Sequence, residues 1–269
     1  MKKRAKILIV AGIFLVITLL LGIYYNSSQI YAAPIEIIED LEKTDGKAFY
    51  SSNWAGYVAV KKDANNITLT NTVKYVKGSW TVPEVDCTST PNGLTFVWVG
   101  IDGYGSSTIE QIGTSSKCVN SNAEYYGWYE FYPSPAVFVP SFPVSPGDNI
   151  TAEVKYLPKK DKFRLRITNT DTGEVFSVTK KIANAKRSSA EWIVEAPKNL
   201  TSNTIFPRSD FNEVVFTNAE AKLGKNIGKI NNPSWTNYEV DMAYPGGLKA
   251  DTSSLSSNGD SFSVDWLHE

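Results

Sequence analysis

The only histidine in this 269-residue chain is His268, next to the last residue, so hydrolytic chemistry falls to other side chains. A chain terminus frays and seldom holds a preorganised base, which argues against a Ser-His-Asp triad, a Cys-His dyad or a histidine-ligated zinc site. Three stretches embed carboxylates among aromatic and apolar neighbours: residues 98–102 (WVGID), 125–133 (YYGWYEFYP) and 190–196 (AEWIVEA). A carboxyl group against apolar surface has its charged form disfavoured, which is how a Glu is tuned for general acid or base work. The ordinary state of a strand Glu is a solvated acid on an outer face, but the surroundings of Glu130 and Glu195 are too apolar for that. Gln111 has no titratable proton. Its amide can donate to an oxygen that turns negative in a tetrahedral intermediate, although a lone Gln reads simply as a polar strand residue.

These groups need strands to present them. If residues 96–102 form a strand, Val97, Val99 and Ile101 take one face and Phe96, Trp98, Gly100 and Asp102 the other. The chain then turns through Gly103, Tyr104 and Gly105 into a second strand holding Gln111, and the whole of residues 96–113 reads as one wall of a binding cleft. Alternation also groups Trp128 with Glu130 and Tyr132, and separates Glu191, Ile193 and Glu195 from Ala190, Trp192 and Val194. Glu191 and Glu195 therefore share a face, and periodicity does not choose between them.

From Ser51 onward the apolar runs are short, β-branched or aromatic, and bounded by Gly, Pro, Asn, Asp or Ser. Phe163, Leu165 and Ile167 alternate with Arg164, Arg166 and Thr168, the signature of a half-buried antiparallel strand. Turn chemistry at Pro146-Gly147-Asp148-Asn149 and Asp171-Thr172-Gly173 falls between such runs. The expected fold is all-β, an antiparallel β-sandwich or jelly roll, with residues 49–269 as one domain. Heptads and internal repeats are absent from the pattern, and a net charge of -1 with scattered basic residues does not suit a nucleic-acid partner.

The first residues follow a different logic. MKKRAK is basic, residues 7–23 are apolar except for Thr18, and the small pair Ala32 and Ala33 follows a polar spacer, so residues 1–33 read as an export signal. We expect its cleavage; retained, it would be long enough to anchor the domain in a membrane, the one membrane contact foreseen. Residues 34–48 are acidic and read as a short pro-segment or linker outside the fold. In an exported chain the two cysteines, Cys87 and Cys118, are expected to form a disulfide, stabilising the fold by about 3 to 4 kcal/mol on the chain-entropy model.

Taken together, Ser52-Asn53-Trp54-Ala55-Gly56, Trp80-Thr81-Val82-Pro83, Trp98 to Gly103, Ile109 to Gly113, Trp128 to Pro133, Ala190 to Glu195 and Phe216 to Ala219 resemble, in order, the motifs of the glutamic peptidases, the eqolisin family G1. The resemblance implies a lectin-like sandwich of two antiparallel sheets and a secreted endopeptidase acting on polypeptides at acidic pH. It implies no metal or cofactor, and we expect a monomer. It assigns the catalytic pair to Gln111 and Glu195, makes Trp54 and Trp98 cleft-wall aromatics, and makes Asp102 and Glu130 acids that support the pair and the substrate. Ile112 and Tyr126 depart from the residues of the fungal members, and 27 Lys plus Arg do not by themselves suggest an acidic medium. Two other readings compete: a jelly-roll glycoside hydrolase with Glu130 and Glu195 as its carboxylate pair, and a carbohydrate-binding module stacking sugars on exposed Trp and Tyr. Gln111 within reach of Glu195 would separate the peptidase from both.

Overall fold

The computed structural model describes residues 30–42, 48–199, 201–244 and 247–269; the apolar run of the export signal lies outside them. The described residues form strands and no helix. In chain order they are β1 (Ile30–Tyr31), β2 (Ile37–Glu42), β3 (Ala48–Ser51), β4 (Trp54–Val60), β5 (Val73–Thr81) and β6 (Leu94–Ile101). Next come β7 (Ile109–Val119), β8 (Asn122–Tyr132), β9 (Val137–Pro143), β10 (Asn149–Leu157), β11 (Lys162–Asn169), β12 (Val175–Lys180) and β13 (Ser189–Glu195). The last are β14 (Lys198–Asn199), β15 (Glu213–Leu223), β16 (Asn226–Gly228), β17 (Thr236–Tyr244), β18 (Gly247–Thr252) and β19 (Phe262–Trp266).

One layer runs β9-β8-β7-β6-β13-β4-β17, each pair antiparallel. The second runs β12-β11-β10-β5-β15-β19, also antiparallel, and β18 bridges β17 to β19 where the layers meet. Alternation in β11 buries Phe163, Leu165 and Ile167, as its sequence predicts. The main core fills the space between layers, with Val97, Val99, Ile112, Trp192 and Val194 of the first meeting Val76, Trp80, Val154, Leu165 and Phe216 of the second.

A second apolar cluster lies on the other face of the first layer. It gathers Trp54, Phe96, Trp98, Trp128 and Ile193 with Ile30 and Ala32. Because both faces of this layer are covered, β4, β6 and β13 are buried at every residue, and acids on β13 have no solvent face to retreat to. Cys87 and Cys118 form the expected disulfide, with Cα atoms 5.4 Å apart.

The stretch read as lying outside the fold packs into it. β2 pairs with β3, and β3 runs parallel to β17. Ile-rich acidic sequence fits a strand as well as it fits a linker.

Candidate active site

The face that carries the second cluster is also where the candidate residues converge. Antiparallel register sets Gln111 of β7 directly between Gly100 of β6 and Glu130 of β8. Glu195 of β13 lies between Phe96 of β6 and Trp54 of β4. Trp98 is opposite Gly113, and a Cβ at residue 113 would come within 1.9 Å of the Val97 carbonyl oxygen and 2.7 Å of the Trp98 Cβ. Glycine at 113 is thus what lets β7 come so close to the main chain of β6, and glycine at 100, where a Cβ would come within 2.6 Å of the Trp98 ring, leaves room for the indole. Trp54 packs edge-on against Trp98, ring centroids 5.0 Å apart.

Both Gln111 and Glu195 are fully buried. Glu195 Oε2 accepts from Trp98 Nε1 at 2.8 Å. Burial holds the Glu195 carboxyl well above the usual carboxylate range, opposed by the indole of Trp98, the backbone N–H of Ala33 and the indole of Trp54. Gln111 Nε2 donates to Glu130 Oε2 at 2.8 Å, and Glu130 is likewise raised, first by burial and then by the nearby Glu195 carboxylate. The same oxygen accepts the Ala32 N–H, so it faces Gln111 as an acceptor and orients the amide with its nitrogen inward.

The second proton of that amide goes to the chain itself. Gln111 Nε2 donates to the carbonyl oxygen of Ala32 at 2.9 Å. Residues 30–36 run extended through the cleft, and their main-chain groups are met one after another. β1 pairs with β14, Ala136 N–H donates to Ile30 O, and Ala32 N–H donates to Glu130 Oε2 at 3.1 Å. Trp54 Nε1 donates to Ala33 O at 3.0 Å, and Asn53 Nδ2 to Pro34 O at 3.1 Å. Glu36 N–H donates to Asn53 Oδ1, Ser52 Oγ donates to the Glu36 carboxylate, and Lys198 forms an ion pair with it.

A chain of this shape has known relatives. Residues 52–266 match the Peptidase A4 family. The chain belongs to that family. It is 30% identical over 242 residues to aspergillopepsin-2 of Aspergillus niger, covering 81% of this chain and 78% of the relative. It is also similar to scytalidopepsin B of Scytalidium lignicola, 28% identical over 163 residues, 58% of this chain and 56% of that one. Among solved structures, aspergilloglutamic peptidase from A. niger superposes with a TM-score of 0.57 at 28% identity, covering 65% of this chain and 99% of that one. A scytalido-glutamic peptidase with a transition state analog inhibitor gives 0.67 at 21% identity, covering 80% and 98%. The chain is therefore a glutamic peptidase, a hydrolase with endopeptidase function, on the all-β fold expected.

In this peptidase the residues singled out from sequence fall into three groups. Gln111, Glu130 and Trp54 touch the extended segment, and Trp98 touches Glu195. Asp102, expected to support the pair and the substrate, is engaged elsewhere. Its Oδ1 accepts from Ser188 N–H at 2.8 Å and Ser188 Oγ at 3.0 Å, and its Oδ2 from Arg187 N–H at 2.7 Å, so it pins the approach to β13. Asn53 and Lys198 were given no role from sequence. Asn53 is fully buried and binds the segment through both ends of its amide, contacts made with residues 17 to 20 positions earlier that no local pattern encodes.

Proposed function

We propose that this peptidase hydrolyses polypeptides with Gln111 and Glu195 as its catalytic pair, in an acidic medium outside the cell. The observation that carries this reading is the course of residues 30–36: the carbonyl of Ala32 sits on Gln111 Nε2, while the next carbonyl, that of Ala33, is held by Trp54, the register neighbour of Glu195. An oxygen that gains charge needs a donor already aimed at it, and a departing amine needs a proton source on its nitrogen side. Gln111 Oε1 and Glu195 Oε1 are buried and accept from no donor among the described residues, leaving two acceptors suited to the two O–H groups of an attacking water. Glu195 as carboxylate takes one proton, and the water oxygen bonds to the carbonyl carbon. The charge on the carbonyl oxygen is held by Gln111, and the C–N bond breaks as Glu195 returns the proton to the amine.

Preference for acid is supported by burial rather than by composition. Asp102, Glu110, Glu130 and Glu191 lie in the interior with their carboxyls raised by burial, so the fold favours their neutral forms, while Glu195, raised likewise, acts in its ionised fraction. Export is supported by the basic and apolar opening of the sequence and by the disulfide. The test is digestion of unfolded casein across pH by the wild type, Glu195→Gln and Gln111→Glu, each checked for retained fold by circular dichroism. We expect cleavage indifferent to metal chelators and serine-directed reagents and lost in both variants. Full proteolysis by either variant would remove the proposed pair.

A further inference from the structure

Residues 30–36 lie in the cleft, and the side chains that hold them come from residue 52 onward, where the family match begins. A polypeptide taking their place meets the same groups. Extended peptides are gripped by main-chain hydrogen bonds, and the pockets around their side chains give selectivity. Glu36 is the one charged side chain of the segment, and it is met at every polar atom. Its N–H donates to Asn53 Oδ1 at 2.9 Å, and its carbonyl accepts from Ser52 N–H at 2.9 Å. Of its carboxylate oxygens, Oε1 forms an ion pair with Lys198 Nζ and Oε2 accepts from Ser52 Oγ at 2.9 Å.

Lys198 is placed by the sheet that carries the base. It follows Glu195 by three residues, Ala196 N–H donates to Asn53 O, and Lys198 itself is bridged to Ile205. Two open pockets of about 500 and 380 Å³ meet there, each lined by Glu36 and Lys198. Arg208 and Lys249 add positive charge to the larger one, Arg208 being already paired with Glu269. An exposed ion pair contributes little, because two free side chains must be ordered to form it. Here the lysine side chain is only 12% exposed and the main chain of residue 36 is fixed, so the carboxylate finds a partner already in position.

From this geometry we propose that the cleft selects polypeptides bearing an acidic side chain four residues beyond the carbonyl held by Gln111, and that Lys198, assisted by Ser52, is the residue that reads it. The inference rests on the Gln111 and Glu195 reading above and adds to it a substrate class and a specificity residue. Burial raises the Glu195 carboxyl and the Lys198 charge opposes that rise, so replacing Lys198 alters the base along with the pocket. A ratio between two substrates cancels that change, and it cancels the fraction of molecules whose cleft is open.

The test uses the full chain and three end-blocked peptides with the sequence of residues 30–38, differing only in Glu, Gln or Lys at the place of Glu36. They are mixed in equal amounts at about pH 5, where a free Glu with a pKa of roughly 4.3 is mostly ionised. Depletion and fragment masses are followed by mass spectrometry, with casein digestion in parallel. We expect wild type to consume the Glu peptide about fivefold to tenfold faster than the Gln peptide, the scale of one contact between charged groups, with the Lys peptide slowest. Lys198→Gln should bring the Glu and Gln peptides within about twofold of each other, and Lys198→Glu should put the Lys peptide ahead of the Glu peptide. Equal consumption of the Glu and Gln peptides by wild type overturns the inference whatever the variants do, and so does a preference that survives in Lys198→Gln. A cut that moves from bond to bond among the three peptides also overturns it, since the acid would then not be read at a fixed place. Casein digested while all three peptides stay intact overturns it and leaves the peptidase reading standing. If neither casein nor any peptide is consumed, both fall.

Discussion

Two groups of buried carboxyls lie on neighbouring strands of the same layer, and only one of them meets the peptide in the cleft. Glu130 and Glu195 are joined to Gln111 and Trp98 by hydrogen bonds; Glu130 also accepts the Ala32 N–H, and Trp54, paired with Glu195, holds the Ala33 carbonyl. Glu110 and Glu191 are equally buried, yet among the described residues no oxygen of either meets a donor at hydrogen-bonding distance. Burial raises both well above the usual range. The Asp102 charge adds to each, while the nearby hydroxyls of Thr108 and Ser189 oppose the shift. The difference shows that burial alone does not mark a catalytic acid. What distinguishes Glu195 from Glu191, four residues away on the same strand and the same face, is a polar partner and a neighbouring indole, Trp54, that holds the peptide in the cleft.

The sharpest way to break that comparison is to make the same change in both groups. We expect Glu195→Gln to lose about a thousandfold in casein kcat/KM, the scale of a removed general base. Glu191→Gln replaces a neutral acid with a neutral amide of the same shape and should stay within about threefold of wild type, since surroundings that favour an uncharged group accept it. Equal losses in the two variants would mean that the partner and the peptide do not decide the role. Within the first group, Glu130→Met should lower kcat by about tenfold to a hundredfold, because the amide of Gln111 loses the acceptor that turns its nitrogen inward.

Period-two alternation was enough to place Trp98, Glu130, Glu191, Ile193 and Glu195 on the site face, because the strands that carry them are regular along their length. It stopped working at Asp102. That residue has φ of 73°, in the left-handed region, so the chain has left the strand and the carboxylate turns to Arg187 and Ser188 instead of the cleft. The segment across the pair was illegible for another reason. Ala32 and Ala33 carry no pattern of their own, and their position depends on indoles and carboxyls about 20 to 160 residues further along the chain. Likewise, alternation left Glu191 and Glu195 equivalent, since their difference lies in which residue of β6 each one faces, Gly100 or Phe96.

The buried group without partners should govern stability. Each of these carboxyls has a folded pKa raised above its unfolded value of roughly 4.3, so the unfolded chain binds fewer protons once pH exceeds that value. Stability is then complete in acid and falls as pH rises toward the folded pKa, by about 1.4 kcal/mol per pH unit for each such group. Urea midpoints from acidic to neutral pH should decline along this slope. Glu110→Gln with Glu191→Gln should flatten it, whereas Glu195→Gln alone should remove a smaller part. A midpoint that rises with pH in the wild type would show that these acids are ionised in the folded chain.

The smallest effect expected separates the two indoles of the site. Trp98 Nε1 donates to Glu195 Oε2, which favours the charged base, while Trp54 Nε1 donates to the carbonyl of Ala33, which is where a substrate main chain would lie. Trp98→Phe should therefore move the acidic limb of kcat/KM upward by about one pH unit, the equivalent of one hydrogen bond to a charged group. Trp54→Phe should move that limb by less than Trp98→Phe does and raise KM by about tenfold or less, the scale of one lost hydrogen bond to bound peptide. Both changes leave an aromatic ring in the packed pair, so lost volume is similar and the contrast reads the N–H alone. A limb that shifts equally in both variants would mean that the base responds to general loosening of the wall and not to the donor it holds.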